Sequence, residues 1–94
     1  MSCTKDRISP FGKIRNSRDI GRAVRERRKE QGVTQVVAAG LADVGVRFLS
    51  ELERGKETIE LGKALQVLHR VGIEVWLVPR GQRPEEVAAR RGDD

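Results

Sequence analysis

Ninety-four residues with 19 Lys/Arg against 14 Asp/Glu, a formal net charge of +5, make one small basic domain, with room for a single modest core and none for an active-site cleft between two lobes. Two Phe, one Trp and no Tyr leave the burying to Leu, Val, Ile and Ala. A single Cys excludes an internal disulfide, and one His without clustered carboxylates gives no metal-ligand pattern, no cofactor motif and no nucleophile paired with a base, so a non-enzymatic role is expected.

The charge is unevenly spread. Residues 1–33 hold ten Lys/Arg against four Asp/Glu, residues 34–79 five against six, and residues 80–94 four against four. An early basic excess suits a nucleic-acid binder and equally a solvated Arg-rich helix face. Nothing resembles a signal peptide, and no apolar run is long enough to span a bilayer, so a reducing cytoplasm is the expected location.

In chain order, residues 1–15 contain Pro10 and Gly12 and show no helical period, which predicts a flexible N-terminal segment. Within it, residues 13–15 around Ile14 offer a short strand in need of a partner. A first helix is predicted from Asn16 or Ser17 to about Gln31, with Asp19 in its first turn and Gly32 at its end. Ile20, Ala23 and Val24 form its buried stripe, and Arg22, Arg25, Arg27, Arg28 and Lys29 occupy the remainder.

Residues 34–55, TQVVAAGLADVGVRFLSELERG, then predict two short helices meeting at a sharp bend. Thr34 caps the first, in which Val37, Ala38 and Leu41 recur at helical spacing through Ala42. The pattern breaks around Asp43. After Gly45 a second helix opens with Phe48, Leu49 and Leu52 at its apolar positions and Arg47, Ser50, Glu51 and Arg54 at its polar ones, and Gly55 closes it. This stretch resembles the helix-turn-helix of the Cro/CI (XRE) repressor family, with Thr34, Gln35, Ala39, Val44, Leu49, Leu52, Glu53 and Gly55 in register. Two positions depart from that family's pattern. Asp43 stands where the turn usually has Gly, and Gly45 where the second helix usually has a capping Ser. Asp enters the left-handed region more readily than most residues, and Gly at an N-cap costs only about a few tenths of a kcal/mol against Ser.

Thr58 is predicted to cap a fourth helix running to about Val71, with Leu61, Ala64, Leu65, Leu68 and Val71 inward and His69 off that stripe at the surface. Residues 73–78 then alternate, placing Ile73, Val75 and Leu77 on one face and Glu74, Trp76 and Val78 on the other, which predicts a strand stopped by Pro79. Its backbone needs a partner, either the same strand of a second copy or residues 13–15. Here the chain resembles the HipB-like antitoxin subgroup, in which such a strand follows the helical body at the dimer interface; residues 47–56 look like that subgroup too. Residues 80–94 are polar, with Pro84, Glu85 and Glu86 suggesting a frayed helix to Arg91 in a largely disordered tail.

The expected fold is therefore mostly α, a compact four- to five-helix Cro/CI-like DNA-binding domain over residues 16–79 with one short C-terminal β-strand at a dimer interface formed by Ile73, Val75, Trp76 and Leu77. The resemblance implies a homodimeric repressor of a near-palindromic double-stranded DNA operator, and at its finest the autoregulating antitoxin of a HipA-like kinase toxin. It assigns Gln35 to phosphate and to bracing the recognition helix, Val46, Arg47, Ser50 and Glu51 to the groove, and Arg54 and Lys56 to the backbone. It also implies a structural ion pair between Arg28 and Glu53. Phe48 is expected to pack under the recognition helix or against a subunit neighbour rather than against DNA. Two rivals stay open: a stand-alone repressor of the same fold, and a protein-binding module that never reads DNA.

Overall fold

The computed structural model describes residues 12–82. The expectations for residues 1–11, among them that around Pro10, and for the helix suggested between Pro84 and Arg91 lie outside the described residues.

Four helices make up the described body: α1 (Ser17–Glu30), α2 (Gln35–Ala42), α3 (Val46–Glu53) and α4 (Leu61–Arg70). Each begins where a side chain or a turn satisfies its free amides. Asn16 caps α1, its Oδ1 accepting from the Asp19 amide at 2.9 Å, and Thr34 caps α2, its Oγ1 accepting from the Val37 amide at 3.2 Å. Asp19 in turn accepts from the Arg15 amide at 2.8 Å and from Arg22 at 2.7 Å, and these two bonds hold its carboxyl below the usual range.

The fourth helix begins later than its sequence suggests. Thr58 does not cap it; Glu60 does, its carboxylate accepting from the amides of Gly62 at 3.1 Å and Lys63 at 3.0 Å. Residues 58–60 remain in the loop. The inward face also differs from the expected one. Ala64, Val67, Leu68 and Val71 are buried, whereas Leu61 and Leu65, expected inside, are exposed.

A similar correction applies to α2. Its buried residues are Ala38, Ala39 and Ala42, while Val37 and Leu41 point outward together with Val36, with Leu41 65% exposed. The helix is packed against both α3 and α4, and the small alanine side chains let the three helices approach closely. Between them the helices enclose one aliphatic core of Val24, the three alanines of α2, Leu49, Leu52, Ala64, Val67, Leu68 and Val71, with Ile20, Val33, Val44, Phe48, Ile59 and Ile73 packed around it. Leu49 and Leu52 are fully buried, each contributing about 1.5–3 kcal/mol.

Close approach of α1 to the end of α3 depends on one glycine. A Cβ at Gly21 would lie 2.6 Å from the carbonyl oxygen of Glu53 and would meet that of Leu52 as well, so any side chain there forces the helices apart. Gly55, at φ 84°, closes α3 while its carbonyl accepts from Ser17 Oγ at 2.8 Å.

No strand forms among the described residues. Residues 73–78 do not pair with residues 13–15; instead the Ile73 amide donates to the Leu68 carbonyl at 2.9 Å and its side chain packs on the core. Beyond it Val75, Trp76 and Leu77 are exposed, Leu77 to 89%. A strand needs a partner backbone, and the single chain presents none to this segment. No helix among the described residues is long and apolar enough to cross a membrane.

Candidate nucleic-acid interface

The bend between α2 and α3 sets the angle at which α3 is presented. Asp43 ends α2 in the left-handed region, at φ 62° and ψ 44°, the conformation for which Gly is the usual choice and Asp an allowed one. The Val44 amide returns to the Ala39 carbonyl at 3.0 Å and Gly45 opens α3 without a side-chain cap. Support comes instead from α4. Gln66 donates to the carbonyl of Ala42 at 2.7 Å, and Arg70 to that of Leu41 at 3.2 Å. These bonds satisfy carbonyls at the C-terminus of α2 and hold the bend to the fourth helix. They join residues far apart in sequence, and no local spacing announces them.

At its other end α3 is fixed by a buried ionic cluster. Arg28 on α1 donates from Nε to Glu53 Oε2 at 2.7 Å and from Nη2 to Glu53 Oε1 at 3.0 Å, the fork-to-fork geometry of a strong charge-assisted pair. Its remaining Nη1 reaches the Val33 carbonyl at 3.0 Å, and Gln35 Nε2 donates to Glu53 Oε1 at 2.9 Å. The side chains of Arg28 and Glu53 are only 11% and 3% exposed. Burial pushes the Glu53 carboxyl up, but the bonds from Arg28 and Gln35 outweigh it and leave the group below the usual carboxylate range; the bond to Glu53 raises Arg28. One carboxylate thus ties α1, α2 and α3 together. Gln35, at the first turn of α2, braces α3 through Glu53.

The solvent side of α3 carries the groups assigned to reading. Val46 is exposed, and the Arg47 side chain is 91% exposed. Ser50 is half-buried and accepts from Arg54 Nη1 at 3.1 Å. Glu51 lies between two cations, 3.4 Å from Arg47 and 3.3 Å from Lys56. The bond from Lys56, with the charges of Lys56 and Arg47, holds its carboxyl below the usual range, so it is ionised at neutral pH. Sequence spacing shows the i to i+4 pairing with Arg47 but not the return of Lys56 across the closing turn. Phe48 is half-buried against the core, with Lys63 Nζ 5.7 Å from its ring centroid, a cation–π distance.

The residues assigned to a dimer interface lie elsewhere. Ile73, Val75 and Trp76 form one wall of an open groove whose other wall is Leu65 and His69 of α4, and the Trp76 indole donates to Glu74 at 3.3 Å. Leu77 extends beyond it. No group of His, Cys, Asp and Glu able to hold a metal ion occurs among the described residues.

Residues 24–75, just over half of the chain, match the family model described as helix-turn-helix. That span begins in the middle of α1 and closes beyond α4, and so contains both helices of the bend and the elements that hold them. The chain is also 45% identical over 71 residues, covering 76% of its own length and 93% of the relative's, to the uncharacterized HTH-type transcriptional regulator y4mF of Sinorhizobium fredii (strain NBRC 101917 / NGR234). With the register of residues 34–55, the braced bend and these two similarities in agreement, the chain belongs to the Cro/CI-type (XRE) helix-turn-helix family.

Proposed function

We infer that this protein is a sequence-specific, double-stranded DNA-binding transcriptional repressor that acts as a homodimer. The observation that carries the reading is the presentation of α3. Its scaffold end is locked through Glu53 to two other helices, while Arg47 near its start is 91% exposed, its Nε turned to Glu51 at 3.4 Å and the rest of its guanidinium facing outward for a base edge. Val46 offers apolar contact to a thymine methyl, Ser50 lies at the groove edge, and Arg54 and Lys56 grip phosphates on leaving the helix.

Glu51 has a regulating effect in this arrangement. It neutralises Arg47 and Lys56 in the free protein, and near phosphates its own charge is repulsive unless it accepts from a cytosine amino group. Glu51→Gln should therefore tighten binding to random duplexes several-fold at low salt while narrowing the gap between operator and random DNA. Parallel titrations on both duplexes measure this. Weaker binding to random DNA would mean that Glu51 serves mainly to hold Arg47 and Lys56 in place.

Dimerisation follows from the exposed apolar segment. Val75, Trp76 and Leu77, beside Leu65 and next to backbone groups without ladder partners, are covered when residues 73–78 of two copies pair as strands across a two-fold axis. Sedimentation at micromolar concentration should give a dimer, and Trp76→Glu should shift it to monomer. A wild-type monomer would remove this element of the proposal.

The finer reading is the antitoxin of a HipA-like kinase toxin, supported by the resemblance of residues 47–56 and by the placement of an apolar segment directly after α4. Capture of a kinase-like product of the neighbouring gene, together with a shift assay on the upstream DNA, tests it. A shifted band without capture favours a stand-alone repressor, and capture without a shift favours a protein-binding module.

A further inference from the structure

Outside the recognition helix, the surface of α1 carries an organised positive charge that the bend and its brace do not use. Arg18, Arg22, Arg25 and Lys29 recur at spacings of four, three and four residues, and at 3.6 residues per turn they fall within about 60° of one another. All four are exposed. Among the described residues, only Arg22 of the four forms an ion pair, with Asp19 at 2.7 Å. The stripe lies beside the face of α1 that touches α3, the face of Gly21 and Arg28, while Asp19, Glu26 and Glu30 lie on its far flank.

At the N-terminal half of α1 the stripe meets the end of the recognition helix. Arg18 packs over Gly55, and Arg18, Arg22, Arg25 and Arg54 line one open cleft of about 440 Å³. The carboxylate at its base, Glu53, is already shared by Arg28 and Gln35. Asp19 also lines the cleft, held by Arg22 at 2.7 Å, so the net positive charge of the cleft comes from Arg18, Arg25 and Arg54 and forms a track leading away from Arg54 along α1.

Resting on the reading of α3 as a DNA-recognition helix, we propose that this track holds the phosphate backbone of the duplex flanking each half-site. The chemistry of the lining favours phosphate over an acidic protein. The cleft is walled by guanidinium groups, Asn16 and carboxylates with no exposed apolar side chain, so a protein partner would find no anchor to bury, whereas phosphates need only the cationic donors. DNA lying on α3 and leaving past Arg54 meets Arg18 and Arg25 first and Lys29 along the same face of the helix.

The test uses the full chain and a duplex recovered from random sequence by selection, prepared in two lengths: trimmed to the half-sites, and extended by about one helical turn on each side. The variant is Arg18→Gln with Arg25→Gln and Lys29→Gln, all at exposed positions, with a melting curve matched to wild type. On the extended duplex the slope of log affinity against log salt should fall by about 0.9 per lost contact, a loss of roughly 3.5-fold per contact in the response to a fourfold change in salt. The trimmed duplex should bind the variant and wild type alike. Equal loss on both lengths, or no loss on either, overturns the proposal. Failure of the wild-type chain to select any sequence is a different result, seen before any variant is made, and would sink the reading of α3 as well.

Discussion

Arg28→Ala should destabilise the domain by about 3–5 kcal/mol, the cost of leaving a buried charge without its partner. The side chain removed supplies two donors to Glu53 and one to the Val33 carbonyl, and the carboxylate left behind is 3% exposed with only Gln35 to satisfy it. For a domain of this size that corresponds to a fall in Tm of more than roughly 10 °C. Operator preference should be unaltered where the protein remains folded, because Glu53 belongs to the brace and not to the groove. An unchanged melting temperature would mean that the cluster contributes nothing net.

The same cluster sets an acid limit on stability. The Glu53 carboxyl titrates lower in the folded chain than in the unfolded one, so the unfolded state binds more protons through the intervening range. Its contribution is full above the ordinary carboxylate range and is lost as pH falls through the lowered folded value. Asp19, depressed by Arg15 and Arg22 at the start of α1, acts in the same direction. Glu53→Gln should flatten this acid dependence, and comparing its pH profile of unfolding with that of wild type measures the effect.

The second large effect belongs to Arg47. Arg47→Ala should remove about 1–3 kcal/mol of discrimination at one symmetric pair of operator positions, since the residue is the strongest donor near the start of α3 and its side chain is 91% exposed. Lys56→Ala should behave differently. A lost phosphate contact weakens every sequence about equally and lowers the salt slope by about one. A uniform loss for Arg47→Ala, with no operator position relaxed, would make Arg47 a backbone contact and leave reading to Val46, Ser50 and Glu51.

What the sequence disclosed depended on distance along the chain. The cap at Thr34 and the closure at Gly55 are local, set by a residue and its near neighbours, the start of α1 is legible to within Asn16 or Ser17, and the left-handed turn at Asp43 follows from the turn pattern of the family that the chain resembles. Which face of a short helix turns inward is decided by what lies opposite. Val37 and Leu41 have the right period for a core and are exposed, because α2 meets two helices across alanines. Leu61 and Leu65 are outward for a related reason, the inward stripe of α4 being centred on Ala64, Val67, Leu68 and Val71, one side of the apolar pattern rather than its middle. In the interface, Arg47 and Glu51 stand at the i to i+4 spacing of a helical ion pair. The supports from Gln66 and Arg70 to the end of α2, and the return of Lys56 to Glu51, depend on the packed fold or on a turn geometry that periodicity does not encode. Residues 73–78 alternate like a strand, yet alternation specifies a two-faced segment and not its partner.

The central claim is that α3 reads DNA sequence, and the most direct measurement is selection of duplexes from a random library by the full chain, followed by affinities for the winner and for random DNA in the same salt. The account predicts enrichment of a near-palindrome with half-sites about one helical turn apart, bound roughly 10³-fold or more tighter than random sequence. Binding that enriches no sequence and is equal for both duplexes would contradict it.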